Sequence, residues 1–425
     1  MARNKLKGET NKMSNWKESI KRHLINPTRL DSNGNIMWNQ RLEGFGGSDL
    51  FGPYQFVLRK EKQPFDRAAY EKAKNGAQII NWVVPEMDVS SGGHINIFRF
   101  VMMLQDAGFQ NRIYLLNPIR FHSAEECREF LKQNYVLDLD RIEVYIDANQ
   151  MAFAHATVAT SWQTAYTVRD FDNTISKFYF VQDYEPYFFE MGSNYAFAEN
   201  TYKMGFRGLT AGDWLKNKLH ADYGMQTESF YFSYDRELYK PGVKRDKVPR
   251  VFFYARPVTA RRDFELGLLS LYQLTKRKPE VEVVFAGWDV REYCIPFRHQ
   301  NLGSVRQDRL ADLYAQCDMC LVLSGTNLSL LPLEVMASNS VAVCTRGANS
   351  EWLVNDENSI LVDFDPDDIA DKIIYYLEHR EELDRIRKQG MEFAQNTSWL
   401  EEGKKVIAAV KKGIEEDEKN ISTRW

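Results

Sequence analysis

Cysteine is scarce: five residues, Cys127, Cys294, Cys317, Cys320 and Cys344, in a chain of 425. An odd, sparse set makes a poor disulfide framework, so free thiols in a reducing compartment are expected. Cys317 and Cys320 have C-x-x-C spacing. No second pair follows, however, and Met319 to Leu323 read as a buried strand, which favours packing over a zinc site. Long apolar runs are missing as well. Nothing approaches the ~20 apolar residues of a membrane span, and the charged N-terminus is not followed by the apolar stretch of a secretory signal. An excess of charge of one sign is also absent. The 55 Lys and Arg against 59 Asp and Glu leave a net charge of −4, so there is no general attraction to nucleic acid and any anion site must be local. The expected location is the cytoplasm.

What is present is a folded-protein composition, with 44% hydrophobic and 27% charged residues, and a length that suits about two to three domains. Residues 1 to 25 carry seven basic residues, with Trp16, Ile20 and Leu24 at four-residue spacing. A short basic amphipathic helix of this kind suits an anionic membrane surface or packing on its own domain. From Gln78 the pattern changes to strand, loop, helix: Ile79 to Val84 is a continuous apolar run, followed by Gly92-Gly93 and a helical stretch. Further strands are expected at 113–116, 142–146, 157–160 and 178–182, and this alternation with helices implies a parallel sheet. The Lys240-to-Pro249 stretch, with Pro241, Gly242 and several basic residues, reads as a linker and hinge. Beyond it strands at 251–254, 281–286, 319–323, 341–344 and 360–362 interleave with helices near 263–277, 306–316, 330–338 and 367–378. A last helix spans about 399–416. The expected fold class is α/β, with two doubly wound Rossmann-like units facing across a cleft, where open parallel sheets bind ligands at their strand ends. The expected division is an N-terminal extension over 1–76 associated with the first domain, domains over 77–240 and 249–398, and a C-terminal segment 399–425 whose helix crosses back to the first domain.

Four strand ends carry residues of chemical interest. Val89-Ser90-Ser91-Gly92-Gly93-His94 lets backbone approach a ligand at Gly93, and free N–H groups at a helix start favour an anion. It is not G-x-G-x-x-G, and it reads equally as a plain glycine turn with His94 as its cap. Phe178 to Pro186 ends in Asp183 and Glu185, on the same side if the strand continues. These would bind acceptor hydroxyls or act as a base, or else anchor the loop. No supporting Asp/His cluster follows, so no metal is expected. Ser324 to Ala337 runs from a buried strand through a small polar loop into a helix carrying Glu334, which would reach a ligand's hydroxyl groups or simply offset the helix dipole. Tyr254 to Arg262 delivers Arg256 and Arg261, whose guanidinium forks suit diphosphate oxygens, with surface salt bridging as the alternative.

With these residues the second half resembles the nucleotide-sugar domain of the retaining family-4 glycosyltransferases, which have the GT-B architecture. The resemblance is carried by Arg256 and Arg261, Phe285-Ala286-Gly287, Asn301-Leu302-Gly303-Ser304-Val305, Leu310 to Tyr314 and Pro332 to Ala337, in the right order over about 110 residues. The family's usual pair is Glu-x7-Glu; here Glu334 is the second member and Thr326 stands at the first. Gly92 to Phe100, Ala159 to Tyr166 and Val181 to Pro186 resemble the rhamnosyltransferases of surface rhamnan synthesis. The resemblance covers residues 77–400 and implies a metal-independent transferase without a cofactor. The donor would be dTDP-β-L-rhamnose, a deoxysugar nucleotide in keeping with the missing first acid, and the acceptor a growing or lipid-linked glycan. It further implies that Arg256 and Arg261 bind the diphosphate and Glu334 the pentose. The Gly303-to-Arg306 loop, with Val305 and Arg306, would hold the base, while Thr326, Ser329 and Gly93 lie along the donor. Asp183, Glu185 and His94 would face the acceptor or the transferred sugar. A lipid-linked acceptor would bring the enzyme to the inner face of the membrane. Other readings of the same residues are a GT-B transferase or epimerase using a UDP- or GDP-hexose, and an inactive sugar-nucleotide-binding homologue.

Overall fold

The computed structural model describes residues 29–30, 36–37, 52–89 and 91–421. The basic helix expected before residue 25 lies outside them. The chain divides into two compact units, Met1–Gln55 and Phe56–Trp425. In the first, β1 (Arg29–Leu30) pairs antiparallel with β2 (Ile36–Met37).

The second unit contains two parallel sheets. The first lobe comprises β3 (Ile79–Val84), β4 (Gln110–Leu115), β5 (Glu143–Tyr145), β6 (Ala154–Ala159), β7 (Thr174–Val181), β8 (Arg207–Ala211) and β9 (Gln226–Phe230), in the spatial order β5-β4-β3-β6-β7-β8-β9. The second comprises β10 (Arg250–Tyr254), β11 (Glu282–Ala286), β12 (His299–Asn301), β13 (Met319–Val322), β14 (Val341–Thr345) and β15 (Ile360–Val362), ordered β12-β11-β10-β13-β14-β15. Every residue of β3, β6, β13 and β14 is buried, as expected for central strands covered by helices on both faces. In both lobes the strand order reverses beside the first strand of the sheet, which opens the crevice where such sheets bind ligands.

Two features position the cleft. The last helix, Trp399–Glu418, packs on the first lobe: Arg207 pairs with Asp417 at 2.7 Å and the Ser176 hydroxyl donates to the Gly413 carbonyl at 3.0 Å. The Lys240-to-Pro249 stretch, in contrast, is not a free hinge. Its Gly242 carbonyl accepts from Asn339 at 2.9 Å and its Arg245 N–H donates to Gln316 at 3.0 Å, while Lys244 pairs with Asp318. These bonds tie it to the second lobe.

Candidate functional site

The second lobe brings its cations to the end of β10. Arg256 is half-buried and donates to the Gly287 carbonyl at 3.4 Å, its guanidinium 5.8 Å from the Trp288 ring. Gly287 has φ +108°, and a Cβ there would meet the Tyr254 ring at 2.7 Å, so a glycine is what lets the β11 end lie against the β10 end. A short 3-10 turn, Ala260–Arg262, then carries Arg261 across the cleft. Its guanidinium stacks 4.1 Å over Phe188 of the first lobe, and its Nε lies 3.6 Å from Asp183 Oδ2. Burial lowers the Arg261 pKa, with the Asp183 charge acting in the opposite sense.

Asp183 is buried where the two lobes meet, and the second lobe clasps it. The Thr326 hydroxyl donates to Oδ2 at 2.8 Å and the Asn327 N–H to Oδ1 at 2.9 Å. Burial raises its pKa, and Arg261 opposes the rise. Asn327 completes the joint. Its Nδ2 donates to the carbonyls of Gln182 (2.9 Å) and Ala211 (3.0 Å), and its Oδ1 accepts from Trp352 Nε1 (2.6 Å). Trp352 sits over Gly212, φ +85°, where a Cβ would collide at 2.3 Å. The small polar loop after β13 is thus bolted to the ends of β7 and β8.

One turn further on, Glu334 is half-buried on the helix Leu331–Ala337. Burial pushes its carboxyl up to about 7, against the Tyr239 hydroxyl and the Arg99 charge. Arg99 comes from the first lobe. Its Nη1 donates to Asn96 Oδ1 at 2.8 Å, and its guanidinium lies 4.1 Å over Trp399, at the turn where the last helix begins.

Glu185 departs from the expectation that it shares a side with Asp183. The strand stops at Val181, and Glu185 with Pro186 starts a 3-10 turn that swings the carboxylate inward. Glu185 accepts from the Trp162 N–H at 2.7 Å and the Tyr179 hydroxyl at 3.1 Å, anchoring the helix Trp162–Arg169. Burial pushes its carboxyl up to about 7. His94 is likewise engaged by its own turn. Nδ1 meets Ser91 Oγ at 2.8 Å and Nε2 the Pro85 carbonyl at 3.1 Å, and burial lowers its pKa. Gly93 opens the helix Gly92–Asp106, with its carbonyl accepting from Gln182 at 3.0 Å.

The remaining candidates lie around this centre. Ser329 Oγ accepts from the Leu331 N–H at 3.3 Å, at the start of the helix Leu331–Ala337. Val305 is half-buried against the core, whereas the Arg306 side chain is 83% exposed and pairs with Asp308. Gly303, φ +58°, joins their loop to β11 through its carbonyl, which accepts from the Gly287 N–H at 2.8 Å. Among the described residues no group of three His, Cys, Asp or Glu side chains is placed to hold a metal, and no helix is long and apolar enough to cross a membrane. Asn327 and Arg99 lie within the segments Ser324 to Ala337 and Gly92 to Phe100 but are not singled out there. The only signal for Asn327 is a small polar loop after a buried strand.

Two parallel α/β lobes, with the last helix packed back on the first, are the GT-B fold found in glycosyltransferases. Residues 249–374 match the WsaF C-terminal domain family. The O-antigen biosynthesis protein RfbC of Myxococcus xanthus is 31% identical over 371 residues, which cover 84% of this chain and 29% of that protein. The chain thus spans less than a third of that relative's length. Among solved structures, TarM of S. aureus superposes with a TM-score of 0.63 at 10% identity, covering 79% of this chain and 99% of that one. HepE of Anabaena in complex with UDP-glucose gives 0.61 at 13% identity (78% and 98%). Sucrose-phosphate synthase of Thermosynechococcus elongatus gives 0.59 at 14% identity (79% and 98%).

Proposed function

We propose that the chain is a glycosyltransferase that moves a sugar from a nucleotide-sugar donor onto a growing surface glycan. In the finer reading the donor is dTDP-β-L-rhamnose and the anomeric configuration is retained. The observation that carries the proposal is that Arg261, from the end of β10 and beside Arg256, meets Asp183 of the opposite lobe at 3.6 Å, while Glu334, on the helix after β13, stands near Arg99 of the first lobe. The RfbC relative supports a place in polysaccharide synthesis. Complexes of the structural neighbours with UDP and UDP-glucose support a sugar nucleotide as the ligand class.

In this reading the two guanidinium groups receive the diphosphate, and Glu334 accepts hydrogen bonds from the pentose diol. The bond from C1 to the diphosphate oxygen breaks with its electron pair staying on the phosphate. The arginines stabilise that charge in a water-poor site, without a metal. The acceptor hydroxyl attacks C1 on the face the diphosphate leaves, and its proton passes to the departing phosphate oxygen. No separate strong base is required. Asp183, already held by Thr326 and Asn327, positions the reacting groups, while Glu185 and His94 keep the loops around them in place. The basic N-terminal residues would serve a lipid-linked acceptor by attraction to anionic lipid.

A thermal-shift panel of dTDP, UDP and GDP tests the donor. dTDP is expected to raise the melting temperature most, and a larger shift with UDP or GDP selects a hexose donor instead. Absence of any shift, or a donor-soaked crystal with the diphosphate remote from Arg256 and Arg261, overturns the proposal.

A further inference from the structure

The 3-10 turn Glu185–Phe188 is fixed at its start by the buried Glu185 and ends by carrying Phe188 against the second lobe. Phe188 is half-buried, yet it packs in none of the hydrophobic clusters of the described residues. Its aromatic neighbour is Phe189, at a centroid distance of 6.5 Å. Core packing therefore does not account for where this ring stands. Above it, at 4.1 Å, lies the Arg261 guanidinium.

The two arginines at the end of β10 differ in what backs them. Arg256 is held by its own lobe, 5.8 Å from the Trp288 ring and on the Gly287 carbonyl. Arg261 is held by the opposite one. Its Nε is buried and lies 3.6 Å from Asp183 Oδ2, and its plane covers Phe188. Its main-chain carbonyl accepts from the Gly325 N–H at 2.9 Å, which steadies the backbone from which the side chain departs. The two terminal nitrogens, in contrast, have no hydrogen-bond acceptor among the described residues, and the side chain is 29% exposed. A planar guanidinium fixed along its Nε edge and on one face has one edge left, and that edge carries the parallel N–H donors that suit a diphosphate. An unsupported arginine would lose its rotamer freedom on binding; a stacked one has lost it already.

We infer that Phe188 is a positioning residue: stacked against Arg261 from the opposite lobe, it holds the guanidinium with its terminal N–H groups turned to the donor's diphosphate. This rests on the reading of the cleft as a nucleotide-sugar site. The grip on the donor is then assembled from both lobes, with Asp183 setting the Nε edge and Phe188 the plane.

The role requires the flat ring and not merely its bulk, so the two are varied separately. Phe188→Tyr keeps the ring. Phe188→Leu keeps apolar volume without one, and Phe188→Met does the same should the leucine variant fail to fold. Calorimetric titration with dTDP, and in parallel with UDP, is the readout. Phe188→Leu is expected to weaken the better-bound diphosphate about fivefold or more, and Phe188→Tyr to stay within about twofold of the wild type. In an Arg261→Gln background, where no guanidinium remains to be held, the same leucine substitution is expected to add less than about twofold. Unchanged affinity in the ringless variants, equal losses in the Tyr and Leu variants, or the same loss with and without Arg261 overturns the inference. Failure of the underlying reading looks different: the wild type itself then binds neither diphosphate, and the positioning role falls with it.

Discussion

The ends of β7 and β13 invite comparison. Each is a buried parallel strand that runs into a short polar loop with acids nearby, and burial pushes one acid in each region, Glu185 and Glu334, up to about 7. Their surroundings then diverge. Glu185 is used up inside its own lobe by the Trp162 N–H and the Tyr179 hydroxyl. Glu334 stands half-buried at the lobe boundary, among groups from both sides. A carboxylate at the end of a parallel strand is therefore not a site in itself. What decides is whether the following residues turn it inward, as the 3-10 turn at Glu185–Phe188 does, or present it from a helix that faces the cleft.

Four measurements would sharpen or break that contrast, beginning with the strongest. Arg261→Ala, in the donor region, should reduce turnover about a hundredfold or more, equivalent to about 3 kcal/mol of transition-state stabilisation. Near-normal turnover would remove the diphosphate from this place. Asn327→Ala removes the donor to two carbonyls of the first lobe and leaves Trp352 Nε1 only the Asn349 carbonyl. A loss of about 2–4 kcal/mol in denaturant unfolding is expected, and a change below ~0.5 kcal/mol would mean the joint does not hold the lobes together.

The paired acids provide the third measurement. Their carboxyls are raised above the ordinary value near 4.5, so the folded protein binds more protons than the unfolded chain between about pH 4.5 and 7. Stability is then lost as pH rises through that window. Glu185→Gln should flatten this slope by ~1–2 kcal/mol while leaving dTDP affinity intact. Glu334→Gln should flatten it similarly yet weaken dTDP about tenfold. Equal effects of the two substitutions on dTDP binding would erase the distinction between the regions. The smallest effect belongs to His94→Gln, expected to change turnover less than about threefold because both ring nitrogens serve their own turn. A hundredfold loss would return His94 to the chemistry.

The same contrast shows how far sequence patterns reach. Continuous apolar runs located β3, β7, β10, β11 and β13 to within a few residues, since strands covered on both faces must be apolar throughout. The strands Arg207–Ala211 and Gln226–Phe230 carry no such run. Arg-Gly-Leu-Thr-Ala and Gln-Thr-Glu-Ser-Phe are not among the expected strands, and they pair in parallel at the edge of the sheet, which supplies the partner. Arg256, Arg261 and Glu334 were singled out because they stand at strand-to-helix junctions and in the segments that carry the family resemblance. The inward turn of Glu185 is fixed by Trp162 and Tyr179, 23 and 6 residues away, and the joint of Asn327 by Gln182, Asp183 and Ala211, which are 145, 144 and 116 residues away, and no local pattern encodes either.

The crossing of the last helix onto the first lobe bears on how the chain matures on the ribosome. Residues 77 to 230 emerge early and can build their sheet, but the face that receives Gly403, Val406, Val410 and Gly413 stays bare until some 170 further residues have been made. During that interval Met103, Phe178 and neighbouring apolar side chains are open to solvent and to other chains. The half synthesised first is the half sealed last.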